Sequence, residues 1–316
     1  ELTLAELLQH YGYRTGITGK WHLGYSDELI PNERGFDYQY GFYEAFTLYA
    51  PEGTPGIVGY KHDYYANRHI WKQQRTKTCA IRRNDEEIIE PGYLTFRIAE
   101  EAVDFLDRHR DEPFFLYVPF SAPHTPFQAP QEYVDRFAHV KDLNKRVYYG
   151  MIAALDDAVG MVIDRIEELG LAENTIIMFA SDNGGATYTD ATENVPLKGG
   201  KFSNFEGGLN VPCMMRWDGK IPAGTLIDDP VILTDFFVTA AAAAGAPLPE
   251  DRVFDGTNLL PYIGPGKADG QPHEFLFWRA AYNKAVRQGP WKLIIDEKAG
   301  RTLLYNMETD KIERRN

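Results

Sequence analysis

The sequence lacks several features that would place it in a specialised class of protein. Only two of its 316 residues are cysteines, Cys79 and Cys213, so neither a disulfide framework nor a cysteine-based zinc site is available. The longest apolar run, 236–246, is alanine-rich and too short to span a bilayer. Positive charge is also outnumbered, since 33 Lys and Arg residues stand against 46 Asp and Glu residues. The formal net charge is -13, which argues against a nucleic-acid partner.

Signals for secretion are missing as well, since no signal peptide and no Asn-x-Ser/Thr sequon is visible. The chain begins at Glu1, without methionine, and we expect the natural N-terminus to lie upstream, so this absence says nothing about compartment. What is present is ordinary for a globular protein: 44% of the residues are hydrophobic and 25% are charged. The length suits one large α/β domain, or a large and a small one.

The stretch 175–208 has the highest concentration of candidate functional residues. Its apolar run 175–180 predicts a buried strand, which ends directly before Asp182 and Asn183. The two side chains offer hard oxygen ligands for a cation, beside glycines that allow sharp turns. A second glycine-rich loop carries Lys198 and Lys201, which suit an anion. Together they favour chemistry on a phosphate or sulfate ester, although an Asx turn and a flexible loop would look similar.

Two other strand-like runs end at candidate polar residues. Lys20 and His22 follow the run 14–18, and in extended backbone side chains two apart point to the same side. His124 follows the run 114–120, with prolines on both sides that restrict its backbone. Each of these signals alone is also compatible with a structural histidine or an exposed lysine.

Helix-like and strand-like segments alternate through most of the chain, which predicts an α/β fold with a largely parallel sheet. Ligands of such sheets bind beyond the carboxyl ends of the strands, so we expect the candidate residues to converge in one pocket. A Pro- and Gly-rich stretch, 261–272, indicates a linker. We therefore predict a catalytic domain over 1–262 and a small antiparallel-sheet subdomain over 263–316.

Aromatic residues are concentrated in the segment 36–71. They are Phe36, Tyr38, Tyr40, Phe42, Tyr43, Phe46, Tyr49, Tyr60, Tyr64, Tyr65 and Trp71. Such side chains either stack on sugar rings or bases, or pack an insertion onto its domain.

Several of these segments together resemble the type I sulfatase family. The segment 13–24, Tyr-Arg-Thr-Gly-Ile-Thr-Gly-Lys-Trp-His-Leu-Gly, is similar to the family's second signature, and its Gly-Lys-Trp-His-Leu-Gly core is highly specific. Later blocks match in the same order at 122–126, 181–184 and 201–208, and the segment 285–294 resembles the family's C-terminal subdomain. The resemblance covers nearly the whole chain.

The resemblance implies an alkaline-phosphatase-like fold and hydrolysis of sulfate esters, with sulfated glycans as the expected substrates. It implies that Asp182 and Asn183 bind one Ca²⁺ ion and that Lys20 and Lys201 hold the sulfate oxygens. By the same resemblance, His22 assists breakdown of a covalent sulfate intermediate, and His124 contacts and protonates the leaving oxygen. Lys201 is preferred to Lys198 because it stands five residues before Glu206-Gly207-Gly208, as in the family. A periplasmic or extracellular location is also implied.

The family's nucleophile is a formylglycine made from Cys or Ser in a Cys-x-Pro-Ser-Arg block, upstream of the block that contains Lys20. No such block is found in the chain, and we expect it, with the remaining metal ligands, upstream of Glu1. Cys79 and Cys213 lack the flanking pattern, and neither is assigned as the nucleophile. Two alternatives stay open: a phosphodiesterase or phosphonate hydrolase of the same superfamily, and a non-catalytic carbohydrate-binding relative.

Overall fold

The computed structural model describes residues 1–61, 74–264, 266, 268–280 and 282–316. These form two compact units, Glu1–Leu171 and Ala172–Asn316. The domain boundary between residues 262 and 263 stays a prediction. Among the described residues, no helix is both long enough and apolar enough to cross a membrane.

The first unit is built around a mixed sheet. Its helices and strands are α1 (Leu4–His10), β1 (Arg14–Lys20), β2 (Tyr38–Phe42), β3 (Ile57–Tyr60), β4 (Arg82–Arg83), β5 (Glu86–Glu87), α2 (Leu94–His109), β6 (Phe114–Tyr117), β7 (Phe127–Pro130), α3 (Gln131–Asp135) and α4 (Leu143–Glu168). The main sheet has the order β5-β4-β2-β1-β6. Strand β1 pairs parallel with β2 and with β6, whereas β4 and β5 are antiparallel additions. Strands β3 and β7 form a separate antiparallel pair.

Helices pack on both faces of this sheet because side chains alternate along β1. The backbone at Gly16 faces α2, where a Cβ would lie 2.6 Å from the Phe105 ring. The next residue, Ile17, belongs to a buried cluster with Ala5 of α1. Helix α1 begins with a capping box, since Thr3 Oγ1 accepts from the Glu6 N–H (3.0 Å) and Glu6 Oε2 accepts from the Thr3 N–H (2.6 Å).

The first part of the aromatic segment, 36–49, forms core, whereas Tyr60 is partly exposed. Seven of its side chains are at most 9% exposed: Phe36, Tyr38, Tyr40, Phe42, Tyr43, Phe46 and Tyr49. Those of β2 pack against α2. Tyr64, Tyr65 and Trp71 lie outside the described residues. For the seven buried side chains, the packing interpretation is confirmed and stacking on a sugar is wrong.

The second unit contains β8 (Ile177–Ala180), α5 (Glu206–Leu209), β9 (Cys213–Arg216), α6 (Asp235–Ala243), α7 (Leu260–Ile263), β10 (Phe275–Ala280), β11 (Asn283–Gln288), β12 (Trp291–Asp296) and β13 (Arg301–Asn306). Strand β8 pairs antiparallel with β9. The last four strands form the predicted antiparallel sheet in the order β10-β11-β12-β13. Its buried face includes Ala285, Ile294 and Tyr305.

Candidate active site

Lys20 ends β1 at the carboxyl edge of the first unit's sheet. Strands β1, β2 and β6 run parallel, so their carboxyl ends meet at this edge. The Lys20 N–H donates to the Pro119 carbonyl (2.9 Å), and the Trp21 N–H donates to the Phe42 carbonyl (2.9 Å). A Cβ at Gly19 would lie 2.2 Å from the Pro119 oxygen, so glycine is required for this close approach. The backbone around Lys20 is therefore held by the segments that follow β6 and end β2.

His22 departs from the extended backbone that the sequence analysis assumed. Its φ is 58°, in the left-handed region, and its N–H donates to the Tyr43 carbonyl (3.0 Å). Strand alternation ends at Lys20, so the reason given for placing both side chains on one side is wrong. Trp21 is 6% exposed and its indole N–H donates to the Leu29 carbonyl (2.8 Å), whereas His22 is exposed. The buried tryptophan anchors the segment that presents the histidine.

His124 lies on the segment that follows β6. Its Nδ1 is 2.7 Å from the Thr125 carbonyl oxygen, and because a carbonyl only accepts, Nδ1 carries a proton. Nε2 is then the nitrogen through which the ring would exchange a proton with a substrate. The backbone is held by the His124 N–H to the Ser121 carbonyl (2.9 Å), and by the Tyr49 hydroxyl, which donates to the His124 carbonyl (2.9 Å). The protein thus orients the imidazole.

Asp182 and Asn183 follow β8 directly, as predicted, in a loop that packs against the loop 198–208. A Cβ at Gly184 would lie 1.8 Å from the Gly207 carbonyl oxygen, so the two backbones meet with no room for a side chain. The Gly184 N–H donates to the Gly208 carbonyl (3.0 Å). The glycines that suggested flexibility in the sequence instead allow the backbones of the two loops to pack directly against each other.

Asn194 also joins the two loops, and sequence reasoning missed it. Its Oδ1 accepts from the Gly185 N–H (3.0 Å), and its Nδ2 donates to the carbonyls of Gly185 and Gly199 (3.0 Å each). The Lys201 N–H donates to the same Gly185 carbonyl (3.1 Å). A single asparagine in a loop carries no sequence signal for this role, because the packing of the glycines determines which backbone groups its side chain can reach.

Lys201 and Lys198 have different surroundings. Lys198 Nζ lies 3.3 Å from the Tyr305 hydroxyl and 3.3 Å from the Glu313 carbonyl, so it is directed to the C-terminal sheet. Burial lowers the pKa of Lys201, and the Asp182 carboxylate partly offsets this lowering. The Lys201 ammonium therefore interacts electrostatically with one of the predicted metal ligands. The choice of Lys201 over Lys198 as a sulfate ligand stays a prediction.

A buried ion cluster joins this loop to the C-terminal sheet. Lys292 is 0% exposed, and its Nζ lies 2.6 Å from Glu206 Oε1 and 2.9 Å from Glu313 Oε1. Glu313 Oε2 accepts from the Glu206 N–H (2.7 Å). Burial raises the pKa of Glu313, against the lowering influence of Lys292. Sequence reasoning missed the cluster, although a lysine on the same face of β12 as the buried Ile294 was a usable signal.

The two thiols are not activated. Cys79 is 0% exposed, and burial raises its pKa to about 11. Cys213 is exposed, and partial desolvation by the surrounding atoms raises the pKa of its thiol, with a further contribution from Asp235. A nucleophilic cysteine needs a lowered pKa, so the structure agrees with leaving both unassigned.

The side chains of Asp182 and Asn183 carry oxygen atoms, the type of ligand that a hard cation prefers. Asn183 Nδ2 donates to the Gly184 carbonyl (3.0 Å), which makes Oδ1 the ligand atom of the amide. Asp182 is exposed and carries two carboxylate oxygens. The described residues contain no group of three or more His, Cys, Asp or Glu side chains arranged to hold a metal ion. Since Ca²⁺ takes about six to eight oxygens, these two residues would form only part of a calcium site.

The predicted residues thus fall into two groups. Lys20, His22 and His124 belong to the first unit, whereas Asp182, Asn183 and Lys201 belong to the second. Lys20 and His124 lie on segments that leave neighbouring parallel strands, and Asp182 and Lys201 interact electrostatically. That all six act in one pocket stays a prediction.

The amino-acid sequence matches the family model described as Sulfatase over residues 1–246. An uncharacterized sulfatase of Escherichia coli (strain K12), YdeN, is 32% identical over 289 residues, which cover 90% of this chain and 50% of that protein. The N-acetylgalactosamine-6-sulfatase of Mus musculus is 32% identical over 299 residues, 92% of this chain and 54% of that protein. The chain therefore spans about half the length of these curated relatives.

The structural comparison agrees with the sequence match. The crystal structure of Ps i-CgsB in complex with k-i-k-neocarrahexaose superposes on the chain with a TM-score of 0.85 at 32% identity, covering 99% of this chain and 69% of that one. The architecture is accordingly the alkaline-phosphatase-like α/β fold of the sulfatases, with the small antiparallel sheet at its C-terminal end. Both the family match and the fold lead to one conclusion: the chain belongs to the sulfatase family.

Proposed function

We propose that the protein hydrolyses sulfate monoesters and that its substrates are sulfated carbohydrates. The observation that carries this proposal is Lys201, a half-buried ammonium that interacts with the Asp182 carboxylate, on a loop held by close glycine contacts. A pre-positioned cation of this kind stabilises negative charge spread over sulfuryl oxygens. Because the chain spans about half the length of its curated relatives, the activity is proposed for the complete protein.

In this proposal Lys20 and Lys201 bind the sulfuryl oxygens, and two histidines handle protons. Hydrolysis breaks the ester S–O bond, water supplies the new oxygen on sulfur, and the alcohol oxygen takes up a proton. His124 in its imidazolium form carries one proton on Nδ1, held by the Thr125 carbonyl, and delivers the other from Nε2 to the leaving oxygen. The exposed His22 is assigned to proton transfer at the sulfuryl group.

Asp182 and Asn183 are the residues of this chain that would hold Ca²⁺. When bound, the ion would neutralise charge on the sulfuryl group. The protein's own contribution is to position these two side chains. The contact between Gly184 and Gly207 holds the carboxylate and the amide at the end of β8. The same loop packing places Lys201 where Asp182 partly offsets the lowering of its pKa.

Carbohydrate substrates are favoured by what the relatives act on or bind. One is an N-acetylgalactosamine-6-sulfatase, and the structure of another was solved with a neocarrahexaose. The buried aromatic residues of 36–49 no longer support this choice, because they form core. The choice of carbohydrates therefore depends on the relatives.

The test uses the complete protein and three substrates. We expect sulfate release from a sulfated galactan oligosaccharide and from 4-nitrophenyl sulfate, and no comparable turnover of bis(4-nitrophenyl) phosphate. Faster turnover of the phosphodiester would favour the phosphodiesterase alternative. Tight binding of the oligosaccharide without turnover of any ester would favour a carbohydrate-binding relative. Either result would overturn the sulfatase proposal.

A further inference from the structure

Two aromatic side chains that sequence reasoning did not single out lie next to Lys201. Phe202 is 70% exposed and Tyr188 is 38% exposed. Their rings are stacked, with centroids 5.8 Å apart and an angle of 15° between the ring planes. Lys201 Nζ lies 5.4 Å from the centre of the Phe202 ring. An exposed, nearly parallel aromatic pair therefore borders the ammonium that we assign to sulfate.

The packing of the two glycine-rich loops brings these rings together. The Lys201 N–H donates to the Gly185 carbonyl (3.1 Å), which joins the second loop to the residues that lead into Tyr188. A Cβ at Gly200 would lie 2.5 Å from the same carbonyl oxygen, so this contact leaves no room for a side chain. Tyr188 belongs to the short 3₁₀ turn Thr187–Thr189, whose last residue donates its hydroxyl to the Ala186 carbonyl (2.7 Å). Hydrogen bonds therefore fix the backbone that carries each of the two rings.

Phe202 is held in a conformation that its residue type disfavours. Its φ is 71°, in the left-handed region, which is uncommon for a bulky side chain. Hydrogen bonds hold the backbone on both sides, from the Lys201 N–H to the Gly185 carbonyl and from the Ser203 N–H to the Gly200 carbonyl (3.0 Å). Strain of this kind is concentrated at ligand-binding and catalytic sites. The ring that this backbone presents is mostly exposed.

We propose that Tyr188 and Phe202 form a saccharide-binding subsite, on which a sugar ring of the sulfated substrate stacks while Lys201 binds its sulfate. This inference rests on the proposed function and specifies its substrate class. The flat faces of aromatic rings bind the apolar C–H face of a sugar, and the tyrosine hydroxyl adds a polar contact. A nucleobase would stack equally well, but the net charge of -13 disfavours nucleic acid.

The same unit contains a matched control pair. Phe275 and Phe277 on β10 are also stacked, with centroids 6.0 Å apart and 18° between the ring planes, and they are 41% and 69% exposed. They lie on the C-terminal sheet, in extended backbone, two residues apart. The control pair therefore reproduces the stacking and the exposure of two aromatic rings without the adjacent Lys201.

The experiment compares Phe202→Leu, Phe202→Trp, Tyr188→Leu and Phe277→Leu in the complete protein. We measure kcat/KM for a sulfated galactan hexasaccharide and for 4-nitrophenyl sulfate, and the dissociation constant of the hexasaccharide by calorimetry. Phe202→Leu and Tyr188→Leu should each weaken hexasaccharide binding about tenfold, the change expected when about 1.4 kcal/mol of aromatic stacking is lost. Phe202→Trp should keep most of the affinity, and Phe277→Leu should change nothing.

The outcomes separate the subsite from the proposed function. Unchanged hexasaccharide affinity in Phe202→Leu and Tyr188→Leu would overturn the subsite, whether or not the protein is a sulfatase. Equal losses of kcat/KM on both substrates would also overturn it, since the ring would then act only by positioning Lys201. A third outcome is that the unmodified protein does not turn over either substrate, while hexasaccharide binding still depends on Phe202. That outcome would overturn the sulfatase activity and leave the subsite confirmed.

Discussion

Replacing Lys292 with methionine tests the buried ion cluster that holds the Lys201 loop against the C-terminal sheet. The ammonium is 0% exposed and lies between two carboxylates, 2.6 Å from Glu206 and 2.9 Å from Glu313. Methionine has nearly the same length but no charge, so the substitution leaves two buried carboxylates facing each other. We expect the protein to fold and to be strongly destabilised.

The size of the loss follows from burial. Removing one partner of a buried ion pair costs about 3–5 kcal/mol, because the remaining charge is left without compensation in a poorly solvated site. For a unit of this size, each kcal/mol lowers the unfolding midpoint by about 2–4 °C, so the midpoint should fall by about 10 °C. The exposed pair Lys284 and Glu297, 2.5 Å apart on the same sheet, serves as the control. Lys284→Met should cost about 0.5 kcal/mol or less.

The loss should increase with pH. Burial raises the pKa of Glu313, and Lys292 opposes that rise, so the pKa rises further when Lys292 is removed. A carboxyl group with a raised folded-state pKa binds more protons in the folded state than in the unfolded state. The stability it contributes is present below its unfolded pKa and is lost as pH rises through the folded pKa. The deficit of Lys292→Met should therefore be larger at about pH 8 than at about pH 5.

Thermal unfolding of the complete protein, followed by circular dichroism at both pH values, measures these effects. The double variant Lys292→Met with Glu313→Gln should recover part of the loss, since glutamine still accepts from the Glu206 N–H but carries no charge. A midpoint equal to that of the unmodified protein would refute the reasoning. So would a deficit that stays the same between the two pH values.

Three further predictions concern the loops around the site. Lys201→Ala should raise the barrier for sulfate ester hydrolysis by about 3 kcal/mol and Lys198→Ala by much less; turnover of 4-nitrophenyl sulfate measures both, and equal losses would contradict the assignment. Asp182→Ala should weaken the rise in unfolding midpoint on adding Ca²⁺, and an unchanged rise would remove Asp182 from the metal site. Gly184→Ala should abolish turnover and lower the unfolding midpoint, because its Cβ would lie 1.8 Å from a carbonyl oxygen. The control is Gly160→Ala in helix α4, where the space is open, and it should add about 0.5–1 kcal/mol of stability. Turnover and a midpoint equal to those of the unmodified protein in Gly184→Ala would contradict the close packing.

Much of the secondary structure was predictable because it depends on local patterns. The alternation of helix-like and strand-like segments predicted an α/β fold, and the structure has long helices at Leu94–His109 and Leu143–Glu168 between its strands. The small antiparallel sheet near the C-terminus was likewise predicted, and the structure has it as four strands. The candidate residues were found by a similar rule, since polar residues directly after buried strands lie at the ligand-binding edge of α/β sheets.

Local patterns failed where the backbone leaves its regular conformation. His22 was expected to continue the alternation of β1, but its φ of 58° ends the strand geometry. Phe202 attracted no notice because nothing in a sequence shows that a phenylalanine is held at a φ of 71°. In both cases, hydrogen bonds from the residue itself or its neighbours to carbonyls of other segments impose the conformation.

Glu206 and Lys292 show what only the tertiary structure decided. They are 86 residues apart, and their side chains meet because loop 198–208 packs against β12 of the antiparallel sheet. The sequence by itself determined which segments are helical, extended or turning, because those preferences act over a few neighbouring residues. Which charges are buried together, which glycines touch, and which aromatic rings stay exposed beside Lys201 depend on packing between distant segments, and the folded chain alone reveals them.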